Sequence, residues 1–407
     1  MRAKRLLPLL LPPLLALALP ALADEGTKPF LAGGDVSVLP LMEAHGARYY
    51  DRAGHQGDAL EILRDSGFRI VRLRLYEAPG SGHGHDGYYW PEDSMNRNDL
   101  LRLAKRAAKL GLQIELTLHY SDFWTNSETQ SLPSAWAAQL RALPDEAARF
   151  VRLRTLVFEH TRDVVQAMCT QGTPPQYVSI GNEIEAGFLY PYGKATEGNW
   201  PRLAQLLEAG YEGVKAANPD SQVILHLDGA GDFEKYRNYF DHVKAGGAHW
   251  DVIGMSYYPF WTRKTVEQVA AFNRELVKRY DKDLMVMEVG FNWHPALPGG
   301  GAGQLSDNGP YPDTMSTPEG QREFMARLFA GLKSSDRMRG LLYWDPIMIA
   351  TRGVGWALRE SDGMPAANLV SNTTLFDFRG HALPALDVFR DNAVGPDALP
   401  PSSSDKK

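Results

Sequence analysis

About eight short apolar runs recur along this 407-residue chain, and segments with a helical pattern separate them. In residues 97–111, leucine and alanine recur at helical spacing before Gly111, a residue type that commonly follows helix C-termini. Strands that alternate with helices predict parallel βαβ units, and eight such units predict a single (β/α)8 TIM barrel. The predicted strands are residues 31–37, 70–76, 113–120, 177–183, 222–228, 252–259, 284–290 and 340–346. The predicted helices are residues 97–111, 147–171, 199–218, 233–245, 266–280, 318–332 and 383–392.

The N-terminus has the pattern of an export signal. Residues 1–5 include three basic side chains, and an apolar run follows that closes with Ala21-Leu22-Ala23, a small-residue cleavage site. Four prolines inside the run disfavour the alternative, a membrane-spanning helix. We therefore predict a signal peptide at residues 1–23, a protein that is exported to a periplasm or secreted, and no membrane association after the signal is removed.

The remaining chain reads as one domain at residues 24–395, because no repeat or linker divides it. The tail at residues 396–407 is rich in proline, serine and lysine, and we expect it to be disordered. Cys169 is the only cysteine, which excludes an intrachain disulfide. A net charge of −6 gives no basic footprint for nucleic acid. We expect a monomer, since no exposed apolar helix suggests a dimer.

Two of the predicted strands end in a glutamate. Asn182-Glu183 closes the fourth strand, and Glu288 closes the seventh. Chemistry in a TIM barrel takes place at the C-terminal strand ends, so the two side chains should meet across one mouth. Paired carboxylates about 5–5.5 Å apart perform retaining glycoside hydrolysis. The alternative is that each glutamate ends its strand in an ion pair, because a buried carboxylate without partners is costly.

Other strand ends carry further motifs, and together the motifs resemble a known family. They are the opening run at residues 34–43, Val71-Arg72-Leu73-Arg74-Leu75, the run at 118–124 that contains His119-Tyr120-Ser121-Asp122, Ser179-Ile180-Gly181-Asn182-Glu183-Ile184, Leu342-Tyr343-Trp344-Asp345-Pro346, Thr374-Leu375-Phe376-Asp377-Phe378 and Ala382-Leu383-Pro384. From about residue 31 to 392 the chain resembles the arabinogalactan endo-β-1,4-galactanases, glycoside hydrolase family 53, within the clan A retaining glycosidases. The two glutamate motifs alone are typical of the whole clan.

The resemblance implies a retaining endo-β-1,4-galactanase that cuts the β-1,4-galactan side chains of pectin (arabinogalactan type I). It implies that Glu183 is the proton donor, that Glu288 is the nucleophile, and that no cofactor is required for the chemistry. The first alternative is another clan A endo-glycosidase, such as a β-mannanase or a xylanase, which would share both glutamates. The second is a sugar-binding barrel without catalysis.

The resemblance also implies a set of substrate-binding residues. Asn182 would contact the 2-hydroxyl of the sugar at the cleavage point, and Trp344 would form the floor under it. Arg74, rather than Arg72, is expected to steady the nucleophile, although a buried structural ion pair is equally open for Arg72. The other expected contacts are His119, Asp122 and Trp124 in the sugar pocket, Tyr257 hydrogen-bonded to Glu288, and Asp345, which stands where the family usually has glutamate.

Two glycine-rich segments raise the question of metal binding. His83 and His85 lie in an insert at residues 82–87, where a solvated loop is the expectation because no third ligand is near. Asp307, Asn308 and Asp313 offer oxygen ligands suitable for a structural calcium ion. Their spacing fits no fixed calcium pattern, so a flexible glycine-rich loop is the alternative.

Overall fold

The structure is a computed structural model, and it describes residues 29–80, 88–89, 94–355, 358–359 and 368–393. The predicted signal peptide at 1–23, the predicted tail at 396–407 and the histidine insert at 82–87 lie outside the described residues.

Eight parallel strands close into a barrel, in which each strand pairs with its neighbours in sequence and the last pairs with the first. The strands are β1 Leu31–Asp35, β2 Ile70–Leu75, β3 Gln113–Leu118, β4 Tyr177–Ile180, β5 Gln222–Leu227, β6 Val252–Tyr257, β7 Asp283–Val289 and β8 Met338–Tyr343. Nearly every residue of the eight strands is buried, as expected for strands that are covered on both faces. The predicted (β/α)8 TIM barrel and its eight strands are confirmed.

Helices cover the outside of the barrel and join successive strands. They are α1 Leu39–Ala44, α2 Ala59–Asp65, α3 Arg97–Lys109, α4 Ser134–Arg141, α5 Glu146–Thr170, α6 Trp200–Ala217, α7 Phe233–Ala245, α8 Pro259–Thr262, α9 Val266–Tyr280, α10 Pro318–Leu332 and α11 Ala385–Asn392. All seven predicted helices are present, with ends that differ by at most two residues. The prediction missed α1, α2, α4 and α8, since helices of four to eight residues hold too few turns to show a clear helical period.

The inside of the barrel has an apolar half and a charged half. Eight buried apolar side chains form an inner cluster of their own, separate from the larger core between the strands and the helices. Side chains of a strand alternate between its two faces, so Ile70 of this cluster shares the inward face of β2 with Arg72 and Arg74. The cluster comprises Leu31, Ile70, Tyr177, Ile224, Val252, Met285, Met287 and Leu342. Buried charges therefore occupy the inside of the barrel towards the C-terminal strand ends.

No helix in the described ranges has both the length and the apolar character that a bilayer crossing requires.

Candidate active site

Glu183 and Glu288 lie side by side at the C-terminal mouth of the barrel. One carboxylate oxygen of each, together with one ring nitrogen of His226, fall within 4.8 Å of one another. Glu288 belongs to β7, and Glu183 follows β4 in a turn where its own φ is +49° and that of Gly181 is +83°. This left-handed backbone turns the chain immediately after the strand. The predicted convergence of the two strand-end glutamates is therefore present.

Both glutamates line a cavity of about 140 Å³. Its lining residues are Arg74, His119, Trp124, Thr125, Asn126, Asn182, Glu183, Tyr258, Trp261, Glu288, Gln304 and Trp344. Five of the predicted substrate-binding residues therefore border the cavity together with the glutamates, namely Arg74, His119, Trp124, Asn182 and Trp344. Their contact with a sugar remains a prediction.

The carboxylate of Glu288 is held by two donors from opposite sides. Nη1 of Arg72 donates to Oε1 at 2.7 Å, and the hydroxyl of Tyr258 donates to Oε2 at 2.9 Å. Arg72 is completely buried, and its Nη2 donates to Oδ1 of Asn182 at 2.6 Å. Burial alone would lower the pKa of Arg72, but the carboxylates of Glu288 and its neighbours raise it, so the guanidinium stays charged. The arrangement leaves Glu288 one fixed orientation.

The predicted roles of Arg74 and Tyr257 require correction. Arg74 contacts Asp35 at 2.9 Å and Asp345 at 3.4 Å, whereas Arg72 is the arginine that binds Glu288. Both arginines face inward, and only the barrel register decides which of them reaches β7.

The correction for Tyr257 follows from the alternation of side chains at the end of β6, which continues through the extended backbone of Tyr258. The Tyr257 hydroxyl donates to the Lys264 carbonyl at 2.9 Å, away from the cavity. Tyr258, the next residue, points to the opposite side and bonds Glu288.

The carboxyl of Glu183 lies at the edge of the cavity and accepts a hydrogen bond from Ser256 Oγ at 2.7 Å on Oε1. Burial raises its pKa well above the usual value, and the neighbouring carboxylates of Glu288, Glu185 and Asp228 raise it further. The hydrogen bond from Ser256 acts in the opposite direction. Among the residues that the structure describes, no cation is paired with Glu183, whereas Arg72 is paired with Glu288. The raised pKa of Glu183 favours its protonated state, which is the property of a general acid.

His119 and Asn182 are fixed by the loop after β3. Nδ1 of His119 bonds Thr125 Oγ1 at 2.8 Å, while Nδ2 of Asn182 donates to the Thr125 carbonyl at 2.8 Å. Burial lowers the pKa of His119, and the positive charge of Arg72 and Arg74 lowers it further, so its ring is neutral. The loop thus presents a neutral imidazole and an amide to the cavity.

Asp122 and Asp345 are buried and are not among the residues that line the cavity, and their contact with a sugar stays a prediction. Oδ2 of Asp122 accepts a hydrogen bond from the backbone N–H of Ser134 at 2.8 Å, at the start of α4. Asp345 is fully buried beside Arg74, after a cis peptide bond to Trp344. Burial and the nearby Asp35 raise the pKa of Asp345 to about 8, although Arg74 opposes this rise. Both carboxyls organise the surroundings of the site.

A second cavity of about 420 Å³ adjoins the first. It shares Asn126, Glu183, Tyr258 and Trp261 with the smaller cavity. Its other lining residues are Ser127, Glu128, Asp228, Gly229, Lys235, Ser256 and Thr262. Since Glu183 borders both cavities and Glu288 borders only the smaller, the two spaces form one cleft with Glu183 at its junction.

Several residues of the cleft were absent from the sequence-based prediction. Ser256 belongs to β6, Tyr258 directly follows that strand, and Trp261 lies in α8, where it is 51% exposed. The sequence showed that Ser256 and Tyr258 point to one side and Tyr257 to the other. Which side faces the cavity depends on the register of β6 with its neighbouring strands, which the sequence did not show. His226 was visible as a histidine at the end of β5, and nothing local linked it to Glu183.

Two groups of described residues bear on the question of metal binding. Glu183, His226 and Glu288 have the proximity of metal ligands, but a cation there would have to displace the Arg72 guanidinium from Glu288. The carboxylate of Asp307 is bound by Arg263 through two hydrogen bonds, at 2.8 and 3.1 Å. Asp307 is therefore already paired with a cation, whereas Oδ1 of Asp313 accepts a hydrogen bond from the Asn308 backbone N–H at 3.3 Å, and calcium binding by this segment stays a prediction.

Comparison with known proteins places these features in a family. The model of glycosyl hydrolase family 53 matches residues 31–389. A probable arabinogalactan endo-beta-1,4-galactanase A of Aspergillus terreus is 32% identical over 358 residues, covering 86% of this chain and 93% of its own. An arabinogalactan endo-beta-1,4-galactanase of Cellvibrio japonicus is 30% identical over 375 residues, covering 86% and 94%. The solved Ignisphaera aggregans GH53 catalytic domain is 31% identical, with a TM-score of 0.78, and the match covers 94% of this chain and 99% of that domain.

Proposed function

Because this chain belongs to glycosyl hydrolase family 53, we propose that it is a retaining endo-β-1,4-galactanase that hydrolyses the β-1,4-galactan side chains of pectin. The observation that carries the proposal is the pair of glutamates whose oxygens approach within 4.8 Å at the mouth of the barrel. Inverting enzymes need a wider gap of about 6.5–9.5 Å to admit a water molecule, so the short separation favours double displacement. The two relatives above are named as galactanases and each matches 86% of this chain, which favours galactan as the substrate.

In the first step, Glu288 attacks the anomeric carbon while Glu183 donates its proton to the departing glycosidic oxygen. Arg72 and Tyr258 hold the attacking carboxylate in place, so little reorientation precedes the reaction. The C–O bond to the leaving half breaks, and a covalent galactosyl ester forms on Glu288.

In the second step, Glu183 takes a proton from water while the water oxygen attacks the anomeric carbon. The bond from that carbon to Glu288 breaks, which frees the carboxylate and releases galactose units with retained configuration. The electrostatics of the pair suit this exchange of roles. While Glu288 is charged, it raises the pKa of Glu183 and helps to keep the acid protonated. Once Glu288 is an ester, that repulsion is gone, and Glu183 can stay a carboxylate and act as a base.

The positions of the two glutamates in the two cavities indicate which part of the substrate lies in each cavity. The glycosidic oxygen that receives the proton must lie beside Glu183, and the sugar attacked by Glu288 must lie in the smaller cavity, above Trp344. The leaving half then occupies the larger cavity, with Lys235, Asp228 and Glu128 around it. Galactan is uncharged, and this mixed, partly acidic lining suits a neutral sugar better than an acidic one.

A substrate panel tests the proposal against its alternatives. Reducing-sugar release should be highest on β-1,4-galactan, low on mannan and xylan, and absent in a Glu288→Gln variant with unchanged circular dichroism. A preference for mannan or xylan would make the protein another clan A endo-glycosidase. Galactan binding without sugar release by the unmodified protein would make it a sugar-binding barrel.

The proposal also includes export and a monomeric state. The support is the signal-like pattern at residues 1–23, which predicts a mature chain that begins at Asp24. Mass spectrometry of the N-terminal peptide and cell fractionation test export, and light scattering tests the monomer. An uncleaved N-terminus in the cell interior would contradict export.

A further inference from the structure

A chain of hydrogen bonds leads from the buried barrel interior to Glu183. A ring nitrogen of His226, Nε2, lies 2.8 Å from Ser256 Oγ, and this hydroxyl lies 2.7 Å from Glu183 Oε1. His226 on β5 is fully buried, and Ser256 on β6 is almost so. Neither residue was part of the predicted site, and neither is used by the double displacement described above.

The direction of these hydrogen bonds follows from the other nitrogen of His226. Nδ1 is buried and has no hydrogen-bond partner among the described residues. A buried N–H without an acceptor is rarer than a buried lone pair without a donor, so the proton belongs on Nε2. Burial lowers the pKa of His226 and the charge of Arg72 lowers it further, which keeps the ring neutral. Nε2–H therefore donates to Ser256 Oγ, and the hydroxyl is left to donate to Glu183.

We propose that His226 and Ser256 are positioning residues that fix which oxygen of Glu183 carries the catalytic proton. Since Oε1 accepts the hydroxyl hydrogen of Ser256, the acid proton is directed to Oε2, and the carboxyl group cannot exchange its two oxygens without breaking that bond. The inference rests on the proposed role of Glu183 as the acid, and it assigns that role to one atom.

The same donor supports the second step. A hydrogen bond to a carboxylate favours the charged form, so Ser256 eases the release of the proton and stabilises the base that follows. It acts against an acidic environment, since Glu288 on β7, Glu185 in the same turn and Asp228 after β5 all raise the pKa of Glu183. Lys235 is bound to Asp228 at 2.6 Å, and Arg72 to Glu288, so these cations serve other carboxylates.

The test compares two substrates with different needs for an acid. The leaving group of galactan is a sugar hydroxyl, which is poor and depends on proton donation. The leaving group of a dinitrophenyl β-galactobioside is dinitrophenolate, which departs without a proton. In a Ser256→Ala variant we expect kcat/KM on galactan to fall about tenfold to a hundredfold, within the usual contribution of general acid catalysis, and kcat/KM on the aryl substrate to change little. The descending limb of the pH profile on galactan should move to higher pH, because loss of the donor raises the pKa of Glu183.

Two matched variants control for structural damage. Ser256→Thr keeps the hydroxyl and should restore most of the galactan activity. His226→Gln keeps an N–H donor and should resemble the unmodified enzyme, whereas His226→Phe, of similar size, should repeat the pattern of Ser256→Ala. If Ser256→Ala does not fold, the two His226 variants decide the question.

Equal losses on the two substrates, with an unmoved pH profile, would overturn the inference and leave a purely structural role. A failure of the proposed function looks different, because the unmodified protein would then release no sugar from galactan. In that case, carbon NMR titration of the Glu183 carboxyl tests whether His226 and Ser256 act on this group. Its midpoint must shift to higher pH in Ser256→Ala, and an unshifted midpoint overturns the inference.

Discussion

Arg72 and Glu288, 216 residues apart in sequence, are joined by a 2.7 Å hydrogen bond between Nη1 and Oε1. Arg72 is also 3.7 Å from both Asp35 and Glu115, so one guanidinium serves three buried carboxyl groups. The residue that orients the proposed nucleophile is therefore also the main counter-charge of the barrel interior, and its loss should affect stability and turnover together.

Replacing Arg72 by methionine should lower the free energy of unfolding by about 3–5 kcal/mol, the usual cost of leaving buried charges unpaired. Urea denaturation measures this, and galactan hydrolysis should be lost in the folded fraction. Arg327→Met is the matched control, because Arg327 forms an exposed ion pair with Glu267 at 3.8 Å. Such a pair contributes about 0–1 kcal/mol. Similar losses in both variants would contradict the central role of Arg72.

The two glutamates should give opposite products when azide replaces the missing carboxylate. Glu183→Ala should lose about a hundredfold or more on galactan, and azide should intercept its galactosyl-enzyme to give a β-galactosyl azide. Glu288→Ala should lose more than about a thousandfold and give the α-galactosyl azide by direct attack. Proton NMR of the anomeric signal identifies each product. Glu323→Ala, an exposed change on α10, should leave turnover intact. Exchanged anomers would reverse the two assignments.

Trp261 should contribute to substrate affinity rather than to stability. Its side chain is 51% exposed and borders both cavities, so it can stack on a sugar ring near the cleavage point. In Trp261→Ala we expect KM on galactan to rise about tenfold, the equivalent of about 1.4 kcal/mol of binding. Leu369→Ala is a matched control, since Leu369 is equally exposed at 51% and lines neither cavity. An unchanged KM in the tryptophan variant would remove Trp261 from the sugar site.

Stability should fall as pH rises, in part because of Asp345. Burial and Asp35 raise its pKa from 3.8 to about 8, so the folded protein keeps a proton that the unfolded chain releases. The stability from this group is complete below the unfolded value and is lost as pH rises through about 8. Burial likewise raises the pKa of Glu115, to about 7, which adds a contribution of the same sign.

Scanning calorimetry over this pH range tests the expectation for Asp345. The Tm of Asp345→Asn should fall less with pH than that of the unmodified protein, because the amide has no proton to lose. Asp391→Asn, an exposed change at the end of α11, should keep the original slope. Identical slopes in the unmodified protein and Asp345→Asn would show that this carboxyl does not control the pH dependence.

The alternation of side chains along a strand predicts which residues share a face, but it does not show which face points into the barrel. The bond from Tyr257 to Glu288 was implied by the family resemblance, and alternation alone could not show that Tyr258 forms it instead. Arg72 and Arg74 share a face, and nothing local could show which of them reaches Glu288, because the distance depends on how β2 is staggered against β7. Asp122 and Asp345 are buried beneath the residues that line the cavity, because the packing of their loops sets how deep each side chain lies.

The sequence by itself determined the barrel and the approximate ends of its eight strands, because apolar runs and helical periods are local signals that parallel βαβ units require. It also determined that Glu183 and Glu288 stand at the same end of that barrel. Only the tertiary structure decided the partners of those glutamates, namely Arg72 and Tyr258 for Glu288, and Ser256 for Glu183. The physical reason is that hydrogen bonds between distant strands depend on register and depth to within an ångström, which no local pattern encodes.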